Sequence, residues 1–113
     1  MISTEYPPMR GGVGRYTYNL TKSLRRLGLD VYVACHMDGN GDYPGISSSS
    51  NLNNASAILE IVHELHPDIV HIQYEHGLYG LSMDNKYPLK DIRYRKSHRE
   101  YTIMPVCQHT AFL

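Results

Sequence analysis

The chain has 113 residues with 11 basic and 11 acidic side chains, 42% hydrophobic and 19% charged: one globular domain, no room for two, and no net charge for bulk binding to nucleic acid. No stretch approaches the roughly 18 apolar residues of a membrane helix. Met1-Ile2-Ser3-Thr4-Glu5 lacks the basic start and apolar core of a signal peptide, and Cys35 and Cys107 make no disulfide framework, so a cytoplasmic address is expected.

After a short extended start, Tyr6-Pro7-Pro8-Met9-Arg10-Gly11-Gly12 reads as a loop, because proline forbids helix and glycine permits unusual backbone angles. From Val13 the apolar positions Val13, Tyr16, Leu20, Leu24 and Leu27 fall at helical spacing, with Arg15, Lys22, Arg25 and Arg26 on the rest of the cylinder. Gly28 is placed to stop that helix, and the basic residues before it suit the carbonyl end of the dipole. Leu29 to Cys35 reads as a strand covered on both faces, since it is almost continuously apolar. Residues 38–54 carry glycine, proline and a serine run and read as a long loop.

A second helix is expected over about 54–65, with Ala55, Ile58, Leu59, Val62 and Leu65 on its apolar face, Asn53 or Asn54 as N-cap and Pro67 as its stop. Asp68 to Tyr74 reads as a strand, Glu75 to Gly80 as a polar turn, 89–98 as a helix, and Thr102 to Cys107 as a last strand leading to His109. Strands alternating with helices imply parallel pairing and right-handed crossovers: an α/β fold with a Rossmann-like parallel sheet and helices on both faces. Few residues precede the first loop and the chain stops just after a strand, so residues 1–113 read as a single, partial domain.

Ligands of open parallel sheets bind at the carboxyl ends of the strands. Three loops are expected there: Pro7 to Gly14, Glu75 to Gly80, and Gln108 to Thr110. In the first, Gly11-Gly12-Val13-Gly14 precedes a helix, where backbone can approach a phosphate or carboxylate; the plain alternative is a turn into a helix. The glycine spacing is not the dinucleotide fingerprint, since Tyr16 stands where the third glycine belongs, and this excludes a dinucleotide-binding oxidoreductase. His76 and His109 follow strands, where an imidazole can handle protons, although a loop histidine often only caps its turn. Glu75 can equally be a solvated carboxylate.

His63 and His66 have metal-compatible spacing but no further ligand completes a set, so no metal site is expected. His71 and Gln73 share one face of their strand and read as buried polar groups bonded to neighbouring loops and not to substrate. The basic, tyrosine-bearing stretch 86–101 reads as the wet face of a helix, or alternatively as the contact surface of a non-enzymatic binding module for an anionic partner.

Taken in order, Glu5-Tyr6-Pro7-Pro8, Gly11-Gly12-Val13-Gly14-Arg15, Leu24-x-x-Leu27-Gly28-Leu29-Asp30-Val31-Tyr32-Val33, Pro67 to Gly77, and Pro105-Val106-Cys107-Gln108-His109-Thr110 resemble the N-terminal domain of glycosyltransferase family 4. The resemblance implies a GT-B architecture, of which this chain is the incomplete N-terminal, acceptor-side half, with the C-terminal donor domain absent. It implies a retaining transferase that moves sugar from a nucleotide-sugar to an acceptor hydroxyl without a metal or other cofactor, with room for peripheral membrane contact. By position, His109 is implied as the catalytic histidine reaching the transferred sugar. Gly11 and Gly12 are implied near the donor diphosphate and acceptor, and Glu75 and His76 on the acceptor side. Leu29 departs from the family, which often has His there, and the 38–54 loop follows no family pattern. Without a donor domain, the 113-residue chain alone is expected to be inactive.

Overall fold

The computed structural model describes residues 1–46 and 53–74 and, of the remainder, the backbone of 93–96, 99–102 and 106–107. In chain order these form α1 (Gly12–Arg26), β1 (Ala34–Cys35), β2 (Tyr43–Pro44), α2 (Asn53–Leu65), β3 (Gln73–Tyr74), β4 (Arg93–Lys96), β5 (Arg99–Thr102) and β6 (Val106–Cys107).

The N-terminal segment lies at the centre. Ile2 forms parallel bridges to Ala34 on one side and to Ile72 on the other. The Ile2 N–H donates to His71 O at 2.7 Å and the Gln73 N–H to Ile2 O at 2.8 Å, while the Ser3 N–H donates to Ala34 O at 3.0 Å. Outward from this centre, β1 pairs in parallel with β2, and β3 pairs in parallel with β6. The lateral order is therefore β2, β1, the N-terminal segment, β3, β6. The chain runs outward to one side and then resumes on the other, so strand order reverses beside the N-terminal segment. This is a small parallel α/β arrangement of Rossmann-like type.

Alternation along the central segment sends neighbouring side chains to opposite faces. Ile2 joins Ala34, Ile46, Ile58, Val62 and Ile72 in one buried cluster, so α2 covers that face with the side predicted for it. Ser3 points to the other face, where the Thr17 hydroxyl of α1 lies 3.2 Å from Ser3 Oγ. The two helices thus cover opposite faces of the sheet.

α1 ends as its sequence dictates. Gly28 takes φ +86°, its N–H donates to Arg25 O at 3.1 Å, and the Leu29 N–H reaches Leu24 O at 3.2 Å, which closes the last turn in a Schellman motif. The buried side of α1 differs from expectation. Gly14, Thr17 and Thr21 are its buried residues, whereas Tyr16 is 44% and Leu27 78% exposed. The apolar stripe lies about 90° round the helix from the side that packs. The cause is the partner: Ser3 presents a hydroxyl and Met1 a thioether sulfur, and the hydroxyls of Thr17 and Thr21 meet them at 3.2 and 3.4 Å.

The strand expected over 29–35 is covered on both faces only at Val33, Ala34 and Cys35, which are fully buried or nearly so. The loop expected over 38–54 contains the short strand β2, held by the Tyr43 N–H donating to Val33 O at 3.0 Å. Asn53 and Asn54 both fall inside the first turn of α2 rather than before it.

The helix expected over 89–98 is corrected. Of its residues, 93–96 form β4, which pairs antiparallel with β5: Arg93 with Thr102, Tyr94 with Tyr101, Arg95 with Glu100 and Lys96 with Arg99. Ile92 and Tyr94 alternate with charged residues at a period of two, and tyrosine and threonine favour strands, so a ribbon fits this stretch better than a helix with no apolar stripe. Thr102 falls in β5, and of the strand expected over 102–107 it is Val106–Cys107 that pairs with β3.

Candidate functional site

The N-terminal segment ends at Thr4, whose carbonyl accepts the His36 N–H at 3.1 Å. From there residues 5–11 cross the carboxyl end of the sheet to the start of α1. Tyr6 anchors the crossing by burying its side chain with Val33 and Cys35. Its carbonyl accepts the Met9 N–H at 3.1 Å, and Pro7 O accepts the Asn40 N–H at 2.8 Å, which ties the loop to the β1–β2 connection. The Tyr6 ring lies 6.0 Å from that of Tyr18 on α1.

At the start of α1 the three glycines answer to different demands. Gly11 is the N-cap, in extended backbone and with no side-chain cap of its own. The cap comes from Glu5, whose Oε2 accepts the Gly14 N–H at 3.3 Å and places a negative charge at the positive end of the helix dipole. A β-carbon on Gly11 would land on the Glu5 carboxylate, and one on Gly14 would meet the backbone of Glu5 at 3.1 Å and that of Tyr6 at 3.2 Å. A β-carbon on Gly12 would meet nothing within 4 Å. Backbone crowds position 14, only the end of the Glu5 side chain crowds position 11, and nothing among the described residues crowds position 12.

Gly11 and Gly12 share an open groove of about 930 Å³ with Pro7, Pro8, Met9, Arg10, Arg15, Tyr18 and Asn19. Among the described residues no acidic side chain lines it. Arg10 and Arg15 are exposed, and among the described residues neither has a carboxylate partner. Arg25 shows the contrast. Its guanidinium donates to Val31 O through Nε at 2.9 Å and to Asp42 Oδ2 at 2.8 Å, so its charge is already spent on the fold. A second, smaller groove of about 390 Å³ lies along α1, between Tyr6, Tyr18, Thr21, Lys22, Arg25 and Arg26.

Beneath α1 the apolar trio Tyr6, Val33 and Cys35 adjoins a set of polar contacts. Thr17 donates to Val13 O at 2.8 Å, and Ser3 Oγ donates to Glu5 O at 2.7 Å. Gln73 is buried with its side-chain nitrogen 3.2 Å from His71 Nε2. Burial, assisted by the positive Met1 amino group, lowers the pKa of His71 and favours neutral imidazole. Burial also pushes the Cys35 thiol up, which makes it a poor nucleophile. The hydroxyl of Thr4, at the carboxyl end of the central segment, is buried with no hydrogen-bond partner among the described residues.

Of the residues singled out from sequence, Gly11 and Gly12 meet at the α1 start, whereas Glu75, His76 and His109 lie outside the described residues. The side chains of His71 and Gln73 meet each other, with Gln73 buried and His71 half-buried, where bonds to neighbouring loops were expected. Among the described residues no group of three or more metal-ligating side chains occurs, and no helix is long and apolar enough to cross a membrane. Sequence reasoning gave no role to Glu5 and placed Arg15 merely on the wet side of a helix. Arg10 it left in a loop. The available signal was local: α1 has arginines before and within its first turn and no acid there, an arrangement a helix does not choose for itself.

The family model described as Glycosyltransferase Family 4 matches residues 10–90 of the 113, a span that takes in the glycine loop, α1 and α2 and ends well past β3. No curated protein and no solved structure matches the chain.

Proposed function

Because the chain belongs to glycosyltransferase family 4, we propose that it supplies the acceptor-side half of a two-domain, GT-B transferase that moves sugar from a nucleotide-sugar to an acceptor hydroxyl with retention. Family membership implies a sugar donor and an acceptor in general terms; the finer assignment is our reading. The observation that carries it is the family match over 10–90, which includes a glycine with open space at the carboxyl end of a parallel sheet. In this reading the acceptor hydroxyl attacks the anomeric carbon as the nucleotide diphosphate leaves. Charge develops on the leaving group, and preorganised donors lower the barrier by meeting it there.

The backbone at Gly12 would lie against the substrates, where a missing side chain permits close approach. His109 is proposed to reach the transferred sugar, and Glu75 and His76 to line the acceptor side. The donor-binding domain, a reaction without metal and a cytoplasmic address belong to the same proposal.

Gly12→Ala in the complete enzyme tests it. Nothing in the fold opposes the added methyl, so stability should hold or rise by about 0.5–1 kcal/mol, as for glycine replaced within a helix. Transfer should fall at least tenfold, read as nucleotide released from a nucleotide-sugar. Unchanged transfer by Gly12→Ala would remove this glycine from the site. For His109→Ala, turnover should fall far more than nucleotide affinity, and equal loss of both would take His109 away from the sugar.

A further inference from the structure

The groove beside Gly11 and Gly12 carries two arginines that have no carboxylate partner among the described residues, and no acid among those residues lines it. Surface arginines commonly find a carboxylate, as Arg25 finds Asp42 at 2.8 Å. Arg10 and Arg15 do not, although Glu5 is close by in the chain: its carboxylate is turned to the Gly14 N–H and does not line the groove. Arg15 also stands in the first turn of α1, where a cation opposes the dipole, so helix stability does not explain it. Two arginines lining one groove suit a group with several acceptor oxygens, since phosphate can satisfy two guanidinium forks where a carboxylate satisfies one. The groove's volume of about 930 Å³ exceeds what a phosphate fills, and Pro7, Pro8 and Tyr18 give it the apolar walls that a sugar ring or glycerol backbone packs against.

We propose that this groove binds the acceptor through a phosphate group held by Arg10 and Arg15, so that the acceptor is a phosphate-bearing molecule. The inference rests on the acceptor-side reading above and names the acceptor's chemistry. The phosphate can belong to a soluble sugar phosphate or to a lipid headgroup.

Glucose 6-phosphate, glucose, and vesicles of phosphatidylglycerol or of phosphatidylcholine are the probes, with binding to the full chain followed without donor. Glucose 6-phosphate or phosphatidylglycerol vesicles should bind, and glucose and phosphatidylcholine should not. Arg10→Gln with Arg15→Gln should weaken that binding at least about tenfold with no change in melting temperature, since both side chains are exposed. Arg26→Gln removes one charge from the neighbouring groove and should change it less than about twofold.

Binding of the sugar phosphate alone assigns a soluble source, and binding of the anionic vesicles alone assigns a headgroup. If neither binds, if glucose binds as well as glucose 6-phosphate, or if Arg26→Gln weakens binding as much as the double variant, the proposal is wrong. Transfer is scored separately. Phosphate binding without transfer by the complete enzyme sinks the transferase reading and leaves the groove standing, whereas transfer that survives the double variant with a phosphate-bearing acceptor sinks the groove alone.

Discussion

Against α2 the sheet presents Ile2, Ala34 and Ile72, and Ile46, Ile58 and Val62 complete a wholly apolar cluster. Against α1 it presents Ser3, and the helix answers with Gly14, Thr17 and Thr21. Apolar packing is non-directional and scales with area, so the α2 side supplies the greater part of stability. Hydrogen bonds contribute less on balance but fix distance and angle. The face that carries the glycine loop is thus the one held in register by polar contacts, and the opposite face keeps the sheet together.

The contrast breaks if residues from the two sides cost the same when cut back. Ile58→Ala should be the most damaging change, lowering stability by about 2–5 kcal/mol in denaturant unfolding, because Ile58 is fully buried in the apolar cluster. Gly11→Ala should follow at about 0.5–2 kcal/mol, since its methyl displaces the Glu5 carboxylate from its cap on Gly14. Adding Glu5→Ala to that variant should recover part of the loss, and a strictly additive double variant would show that the two residues do not meet.

Thr17→Val should cost about 1 kcal/mol, the worth of one buried hydroxyl contact at constant shape. A loss equal to that of Ile58→Ala would erase the distinction between the faces. The smallest effect concerns pH. His71 has a lowered pKa in the fold, so the unfolded chain takes up its proton first as pH falls. Stability from this group is intact above the usual value of 6.5 and declines as pH drops below it. Melting temperatures taken across that range should fall more for the natural chain than for His71→Gln.

The sequence made the elements of the first half legible because their signals are local. Gly28 after two arginines announced the end of α1, and Ile58, Leu59 and Val62 announced the buried side of α2. Which side of α1 would pack was not legible, because periodicity locates an apolar stripe but does not name the surface that meets it. Ser3 and Met1 decided that, and they lie at the other end of a tertiary contact. The 89–98 stretch misled for a related reason: its charges suit an exposed helix and an exposed ribbon alike, and pairing with 99–102 is what separates them. At the candidate site, Gly11 and Gly12 announced themselves through their place before a helix. Glu5 did not, because a cap delivered across a loop leaves no trace in spacing, and an arginine is recognised as uncommitted only once its neighbours are known.

Just before β1 the Val31 carbonyl and the Val33 N–H are met by side chains and not by a strand. Asp42 accepts the Val33 N–H at 2.7 Å, and Arg25 donates to Val31 O through Nε at 2.9 Å and is itself held by Asp42. Such an edge is a template on which a second chain can add a strand. One acid and one base on it act as a stopper against self-association, and their value lies in solubility more than in folding energy, since an exposed ion pair contributes little to stability.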